Sequence, residues 1–184
     1  MPRPARRRWP IWPLIVIAML AAGHWAWQQP WAEAARLAWQ LSRLPPPDQL
    51  PMPVAGVRAR AVADTWGGAR SGGRTHEGVD IFAKRGTPVL ATTPGVVLAV
   101  RDFGLGGKQV WLHGPAGERH YYAHLEGFAA GIQRFDSVQP GDVLGYVGDS
   151  GNAGGTPPHL HYAIYAHDGA YNPWPLLQAG APPR

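Results

Sequence analysis

The alternation of hydrophobic and polar positions divides the chain into two regimes that meet near residue 54. The first begins with a run free of formal charge, Trp9 to Trp27, behind Arg3, Arg6, Arg7 and Arg8. That is roughly 19 residues, close to the ~20 a helix needs to cross the hydrocarbon layer. Trp9 and Trp12 at one end and Trp25, Trp27 and Trp31 at the other are placed like interfacial anchors, with the arginines held in the cytoplasm. The pattern predicts a basic segment over 1–8 and a transmembrane or signal-anchor helix over 9–31, with everything after it outside the cytoplasm. A cleaved secretory signal is the competing reading, since Leu14 to Ala22 also fits a signal core. The cleavage site it needs is poorly offered, because Ala21-Ala22-Gly23 runs straight into His24 and Trp25.

Residues 32–53 read as a short amphipathic stalk and a linker. Ala35, Leu37, Ala38, Leu41 and Leu44 recur at helical spacing among Glu33, Arg36, Gln40 and Arg43. Pro45-Pro46-Pro47 ends that helix, and the chain to Pro53 is expected to be stiff and extended.

From Val54 to residue 184 the period falls to two, in short apolar runs: Val57 to Val62, Pro88 to Ala91, Val96 to Val100, Val110 to Leu112, His120 to His124, Val143 to Val147 and Leu160 to Tyr165. Turn signals such as Gly72-Gly73, Thr93-Pro94-Gly95, Gly104 to Gly107 and Pro140-Gly141-Asp142 bound them. Such spacing predicts one all-β domain, a sandwich or barrel-like core, and excludes a helical bundle. Gly86-Thr87-Pro88-Val89-Leu90 and Pro140-Gly141-Asp142-Val143-Leu144 echo each other, as two related hairpins would.

Composition changes the picture in two places. Lys and Arg number 17 against 12 Asp and Glu, a formal charge of +5. The four N-terminal arginines account for most of it, and the rest of the chain is nearly neutral. That removes the main support for a nucleic-acid partner. There is no cysteine. Disulfides, thiolate zinc sites, Fe–S clusters and a cysteine nucleophile are excluded together, so any metal must take histidine and carboxylate ligands.

Five residues stand out by spacing: His76 and Asp80 in His76-Glu77-Gly78-Val79-Asp80, His124 in Tyr121-Tyr122-Ala123-His124-Leu125, and His159 and His161 in Pro158-His159-Leu160-His161. On a strand, His159 and His161 face one side, roughly 6.6 Å apart along the chain. One can bind a metal while the other faces a substrate. His76 and Asp80 would span about 13 Å if extended, and Gly78 offers the bend that lets them converge. One nitrogen and one carboxylate from this segment plus one imidazole from elsewhere make three ligands with an open fourth position, as in a catalytic zinc site. Glu77, off a helix, has no fixed relation to such an ion.

These motifs resemble the lysostaphin/LytM type of zinc metallopeptidases of bacterial cell-wall turnover. The resemblance rests on His-x-x-x-Asp at 76 and 80, Tyr122-Ala123-His124-Leu125 and His-x-His at 159 and 161. Gly86-Thr87-Pro88-Val89, Val138-Gln139-Pro140-Gly141-Asp142, Gly145-Tyr146-Val147-Gly148 and Asn172-Pro173 extend it over about residues 60 to 177. It implies a duplicated hybrid motif fold and a Zn2+ held by His76, Asp80 and His161. His124 and His159 are then the unligated catalytic pair that handles the proton of a zinc-activated water. The implied activity is hydrolysis of peptide bonds in peptidoglycan, by an enzyme of the cell inner membrane whose domain faces the periplasm or wall space. A regulatory protein partner is an open possibility of that setting.

Arg70 and Arg74 stand where related enzymes often carry an aromatic residue, so either is a candidate to hold an anionic peptide stem or the oxyanion. His113, His120 and His167 match no motif and read as surface or strand-face residues. Asn152 reads as a loop former. The alternative function is a wall-binding regulator of another hydrolase, which has no need of all three ligands and both free histidines. A histidine phosphocarrier on a similar fold works in the cytosol, against the N-terminal segment.

Overall fold

The computed structural model describes residues 10–180, and the alternation after residue 54 becomes strands as expected. In chain order they are β1 (Val79–Phe82), β2 (Pro88–Leu90), β3 (Gly95–Asp102), β4 (Lys108–His113), β5 (Arg119–Ala123), β6 (Leu125–Phe128), β7 (Ser137–Val138), β8 (Val143–Val147), β9 (His159–Ala166) and β10 (Gly169–Tyr171). One sheet runs β1-β9-β5-β4-β3-β7 with β10 also paired to β9, and a smaller one runs β2-β8-β6. All pairs between these strands are antiparallel. The two echoing segments are themselves neighbours, with Leu90 opposite Val143.

The core lies between the sheets. Leu160, Tyr162 and Ile164 of β9 point into it beside Tyr122, Val110 and Leu112, and meet Val89, Leu125, Leu144 and Val147 of the smaller sheet. Each fully buried aliphatic contributes roughly 1.5–3 kcal/mol. Because side chains alternate along a strand, anchoring Leu160 and Tyr162 inward commits His159 and His161 to the opposite face. The buried tyrosines need partners for their hydroxyls, and Thr92 supplies them, with its Oγ1 2.9 Å from both the Tyr122 and Tyr162 hydroxyls.

The N-terminal elements differ from expectation. Residues 1–8 and Trp9 lie outside the described residues. The run expected to form one helix over 9–31 forms two: α1 (Trp12–Trp27), of 16 residues, and α2 (Pro30–Ser42). Proline disfavours helical backbone in the residue before it, and Gln29 accordingly sits at φ −74°, ψ 147°. Among the described residues, no helix is long and apolar enough to cross a membrane. None of the side chains of α1 is buried.

The expected stalk and linker are docked onto the domain. Ala34 and Leu41 of α2 are buried with Val96 on the outer face of β3, where Leu37, Ala38 and Phe135 pack around them. Leu50, in the proline-rich stretch, joins the main core and donates its N–H to the Leu176 carbonyl at 3.0 Å. The packed body therefore begins well before residue 54. Val57 to Val62 is not a strand: the N–H groups of Ala61 and Val62 turn back to the carbonyls of Arg58 and Ala59, at 2.9 and 3.0 Å. A short helix outside the period-two pattern, α3 (Trp174–Ala179), is the last of the described elements and buries Leu177.

Candidate functional site

Strand register assembles the site. Across the β1–β9 pair, Asp80 lies opposite His161, and across β5–β9, Ala123 lies opposite His161. Directly opposed residues share a face, so the carboxylate and imidazole meet on the outer side of the large sheet, with His124 at the adjoining strand end. His76 reaches the same point from just ahead of β1. Its Nε2 is 2.9 Å from His161 Nδ1 and 3.0 Å from Asp80 Oδ1, which is itself 3.1 Å from His161 Nδ1.

Gly78 permits this convergence, though for a different reason than a bend. It is not among the glycines with positive φ. A Cβ placed there would stand 2.6 Å from His161 Cε1 and 2.7 Å from the Tyr162 carbonyl oxygen. The residue is small because the imidazole lies directly over it.

Thr65, which the sequence reading passed over, braces the cluster from two sides. Its carbonyl accepts the His76 Nδ1 proton at 2.7 Å, and its hydroxyl accepts the Asp80 backbone N–H at 3.0 Å. A carbonyl can only accept, so the contact fixes the His76 tautomer and turns Nε2 towards the cluster. Thr65 is held in turn by its neighbour Asp64, whose carboxylate accepts from Asn172 Nδ2 at 3.0 and 3.2 Å and from the Trp66 N–H at 3.1 Å. The Asn172-Pro173 motif thus reaches the cluster through one exposed ion and one threonine.

His76, Asp80 and His161 are the one group of metal-ligand type found among the described residues. Two nitrogens and an oxygen at mutual distances of 2.9 to 3.1 Å fit a tetrahedral ion with bonds of ~2.0–2.1 Å, whose ligand atoms lie about 3.3 Å apart. Burial raises the Asp80 pKa, but its contacts with His161, His76 and Arg70 outweigh it and hold the carboxyl well below the usual range. It is charged at any pH near neutral. Burial also lowers the His161 pKa, against the pull of Asp80, which favours the neutral imidazole that metals require.

His124 and His159 stand beside this group without joining it, their ring centroids 5.1 Å apart. His124 Nδ1 donates to the Ser150 carbonyl and His159 Nδ1 to the Pro157 carbonyl, both at 2.9 Å. Each therefore carries its proton on Nδ1 and leaves Nε2 with a lone pair. Burial lowers the His124 pKa to about 4, with smaller contributions from neighbouring imidazoles. His124 has φ 62°, an uncommon angle for a residue with a side chain. Two glycine loops hold it there: its N–H bonds to the Gly106 carbonyl, and a Cβ on Gly107 or Gly151 would strike the opposing loop's backbone at 2.3 Å.

The cluster opens into a cleft of about 590 Å³, walled by Trp111, Tyr121 and Tyr165 on one flank and by Arg70, Arg74 and Thr156 among others elsewhere. Glu77 lies on its exposed rim and bonds to none of the five residues. Asn152 also lines the cleft, and its N–H holds the loop to the Leu105 carbonyl at 2.9 Å. Arg70 is bonded to Asp80, and Arg74 to Ser71, the latter at 3.1 and 3.3 Å. Of the other histidines, His167 is exposed, and His113 faces α2, its Nε2 3.0 Å from the Ala38 carbonyl. His120 is no surface residue: it is fully buried, its Nδ1 2.8 Å from the Tyr162 hydroxyl.

The model of peptidase family M23 matches residues 74–173. The L-Ala–D-Glu endopeptidase of Bacillus subtilis is 44% identical over 126 residues, covering 62% of this chain and 39% of that protein. The DD-carboxypeptidase/endopeptidase Mpg of Neisseria meningitidis serogroup B is 35% identical over 118 residues, covering 64% of this chain and 25% of that protein. The chain thus spans well under half the length of these relatives. The catalytic domain of lysostaphin from Staphylococcus simulans superposes with a TM-score of 0.55 at 31% identity, covering 64% of this chain and 91% of that domain.

Proposed function

Since the chain belongs to peptidase family M23, we propose that it is a zinc metalloendopeptidase that hydrolyses peptide bonds in bacterial peptidoglycan. The observation that carries this is the complete cluster, three convergent ligand atoms with two further imidazoles whose Nε2 atoms are free. Relatives named as endopeptidases, L-Ala–D-Glu endopeptidase and glycyl-glycine endopeptidase ALE-1 among them, support the substrate class.

Zinc, when bound by His76, Asp80 and His161, supplies a Lewis acid for the scissile carbonyl and lowers the pKa of water towards ~7. The chain's own residues do the rest. His124 and His159 present basic Nε2 atoms that take up the proton of the attacking water and return it to the leaving amine, while Ser150 and Pro157 hold their Nδ1 protons in place. Burial keeps His124 neutral at working pH with Nε2 as an acceptor, and its low pKa favours passing a captured proton on to the leaving amine. The aromatic flank of Trp111, Tyr121 and Tyr165 packs against the peptide and excludes water from that side. A regulator would have no need of this full set.

We further propose that α1 holds the enzyme at the inner membrane with its domain in the periplasm or wall space. Leu14, Ile17, Met19 and Leu20 all stand exposed on α1, and lipid would cover them. Removing residues 1–28 should move the protein from the membrane fraction to the soluble one, and unchanged fractionation counts against the anchor.

The activity is tested by incubating the full chain with purified sacculi, with and without chelator, and identifying released fragments by mass spectrometry. Chelator-sensitive release of fragments cut at a peptide bond is expected. A zinc-loaded chain that releases nothing favours the wall-binding regulator.

A further inference from the structure

Arg70 sits on one arm of a hairpin that precedes β1. The Arg70 N–H bonds to the Arg74 carbonyl and the His76 N–H to the Gly68 carbonyl, at 2.9 and 2.8 Å, around a tip where Gly72 and Gly73 both have φ 73°. The guanidinium leaves this arm to form an ion pair with Asp80 Oδ2. The two oxygens of that carboxylate are therefore divided. Oδ1 faces His76 and His161 at 3.0 and 3.1 Å, and Oδ2 faces Arg70.

We propose that Arg70 is a positioning residue of the metal centre: it occupies Asp80 Oδ2 so that Oδ1 alone is presented to the ion. This rests on the reading of His76, Asp80 and His161 as the metal ligands. The chemistry suits the task. A guanidinium stays charged at every working pH and donates along fixed directions, so it can hold a planar carboxylate against rotation. Oδ2 has no other partner among the described residues, since His76 and His161 face Oδ1 and Thr65 holds only the backbone N–H. Without Arg70 the carboxylate is free to turn about its bond and to offer either or both oxygens. Groups that orient metal-binding residues in this way are typically worth ~10–100-fold in metal affinity.

The role differs from a general electrostatic one, which would run the other way, since a cation near the site repels a metal. Arg74 provides the control. It is a second guanidinium lining the same cleft, but its hydrogen bonds go to the Ser71 carbonyl and hydroxyl and none to Asp80.

The test measures the zinc dissociation constant of the full chain by competition with a chromogenic chelator, with no peptidoglycan present. Arg70→Met should bind zinc at least tenfold more weakly than the native chain. Arg70→Lys, which keeps a charged donor, should recover most of the loss, and Arg74→Met should bind as the native chain does or more tightly. The absorption bands of the cobalt-substituted Arg70→Met chain should shift, reporting a changed ligand geometry. A loss under tenfold in Arg70→Met, or an equal loss in Arg74→Met, overturns the proposal. Thermal melts in chelator check that each variant is folded, and Arg70→Lys answers the question should Arg70→Met not fold. Because zinc binding is read alone, a native chain that binds zinc and cuts no sacculi would sink the proposed activity and leave this result standing.

Discussion

Replacing Gly78 by alanine adds one methyl group where His161 already lies. The new Cβ would stand 2.6 Å from His161 Cε1 and 2.9 Å from its Nε2, with the Tyr162 carbonyl oxygen at 2.7 Å. Carbon atoms pack comfortably at about 3.5 Å or more, so the ring must retreat by roughly 0.9 Å. It cannot do so alone, because Val79 is paired with Tyr162 and Asp80 with His161 along the same two strands. Overpacking of this kind costs about 1–3 kcal/mol, which for a chain of this size lowers Tm by roughly 3–10 °C. The effect on the site should exceed the effect on the fold. A shift near 1 Å opens the 2.9 and 3.1 Å contacts of His161 Nδ1 to almost 4 Å, and misplacement on that scale can cost roughly 100-fold in rate. Zinc affinity by chelator competition and release from sacculi should both fall, while a thermal melt in chelator shifts only within the range above. A Gly78→Ala chain with native zinc affinity and native turnover would refute the claim that this glycine exists to seat the imidazole.

Two further outcomes follow from residues away from the ion. Asn172→Ala removes two hydrogen bonds to the Asp64 carboxylate and the acceptor for the Trp174 N–H, so Tm should drop by an amount equivalent to about 1–3 kcal/mol. Zinc affinity should weaken with it through Thr65, and a change in Tm alone would show that the clamp does not reach the metal. His120 is buried, and burial lowers its pKa to about 4 from 6.5. The unfolded chain then binds a proton that the folded chain refuses, so this residue's stabilisation is full above pH 6.5 and is lost as pH falls towards 4, on the order of 3 kcal/mol in all. Glu118, 3.9 Å away and with its pKa raised by burial, works in the opposite direction above pH 4.5. Denaturant melts across pH 4–7 should show a smaller loss in His120→Asn than in the native chain, and equal slopes would exclude His120 as the source.

What was legible in the sequence is what depends on spacing. Period two located most of the strands, and His-x-His on a strand correctly placed His159 and His161 on one face because Leu160 must go inward. The His76 and Asp80 pair was legible as convergent, but the reason was not: Gly78 reads the same whether it bends the chain or admits a neighbouring ring, and only the register of β1 against β9 decides. Thr65 gave no signal, since one contact uses a backbone carbonyl that any residue could supply and the other a lone hydroxyl outside every motif. His120 was misplaced because alternation within one strand does not say which face is inside when both faces carry polar residues. The N-terminal run was read as one helix over 9–31 although Pro30 lies within it, and the extended backbone that proline imposes on Gln29 splits it. The docking of α2 and Leu50 depends on contacts with β3 and α3, distant in sequence, which no local pattern announces.

The proposed site divides its labour: His76, Asp80 and His161 hold the ion, and His124 and His159 move the proton. The measurement that tests it most directly is zinc retained per chain after dialysis, in the native protein, His161→Ala and His159→Ala, each then assayed on sacculi. One zinc and release of peptide fragments are expected for the native chain, no zinc and no release for His161→Ala, and one zinc without release for His159→Ala. A His161→Ala chain that keeps its zinc and its activity, or a His159→Ala chain that loses the metal, would contradict it.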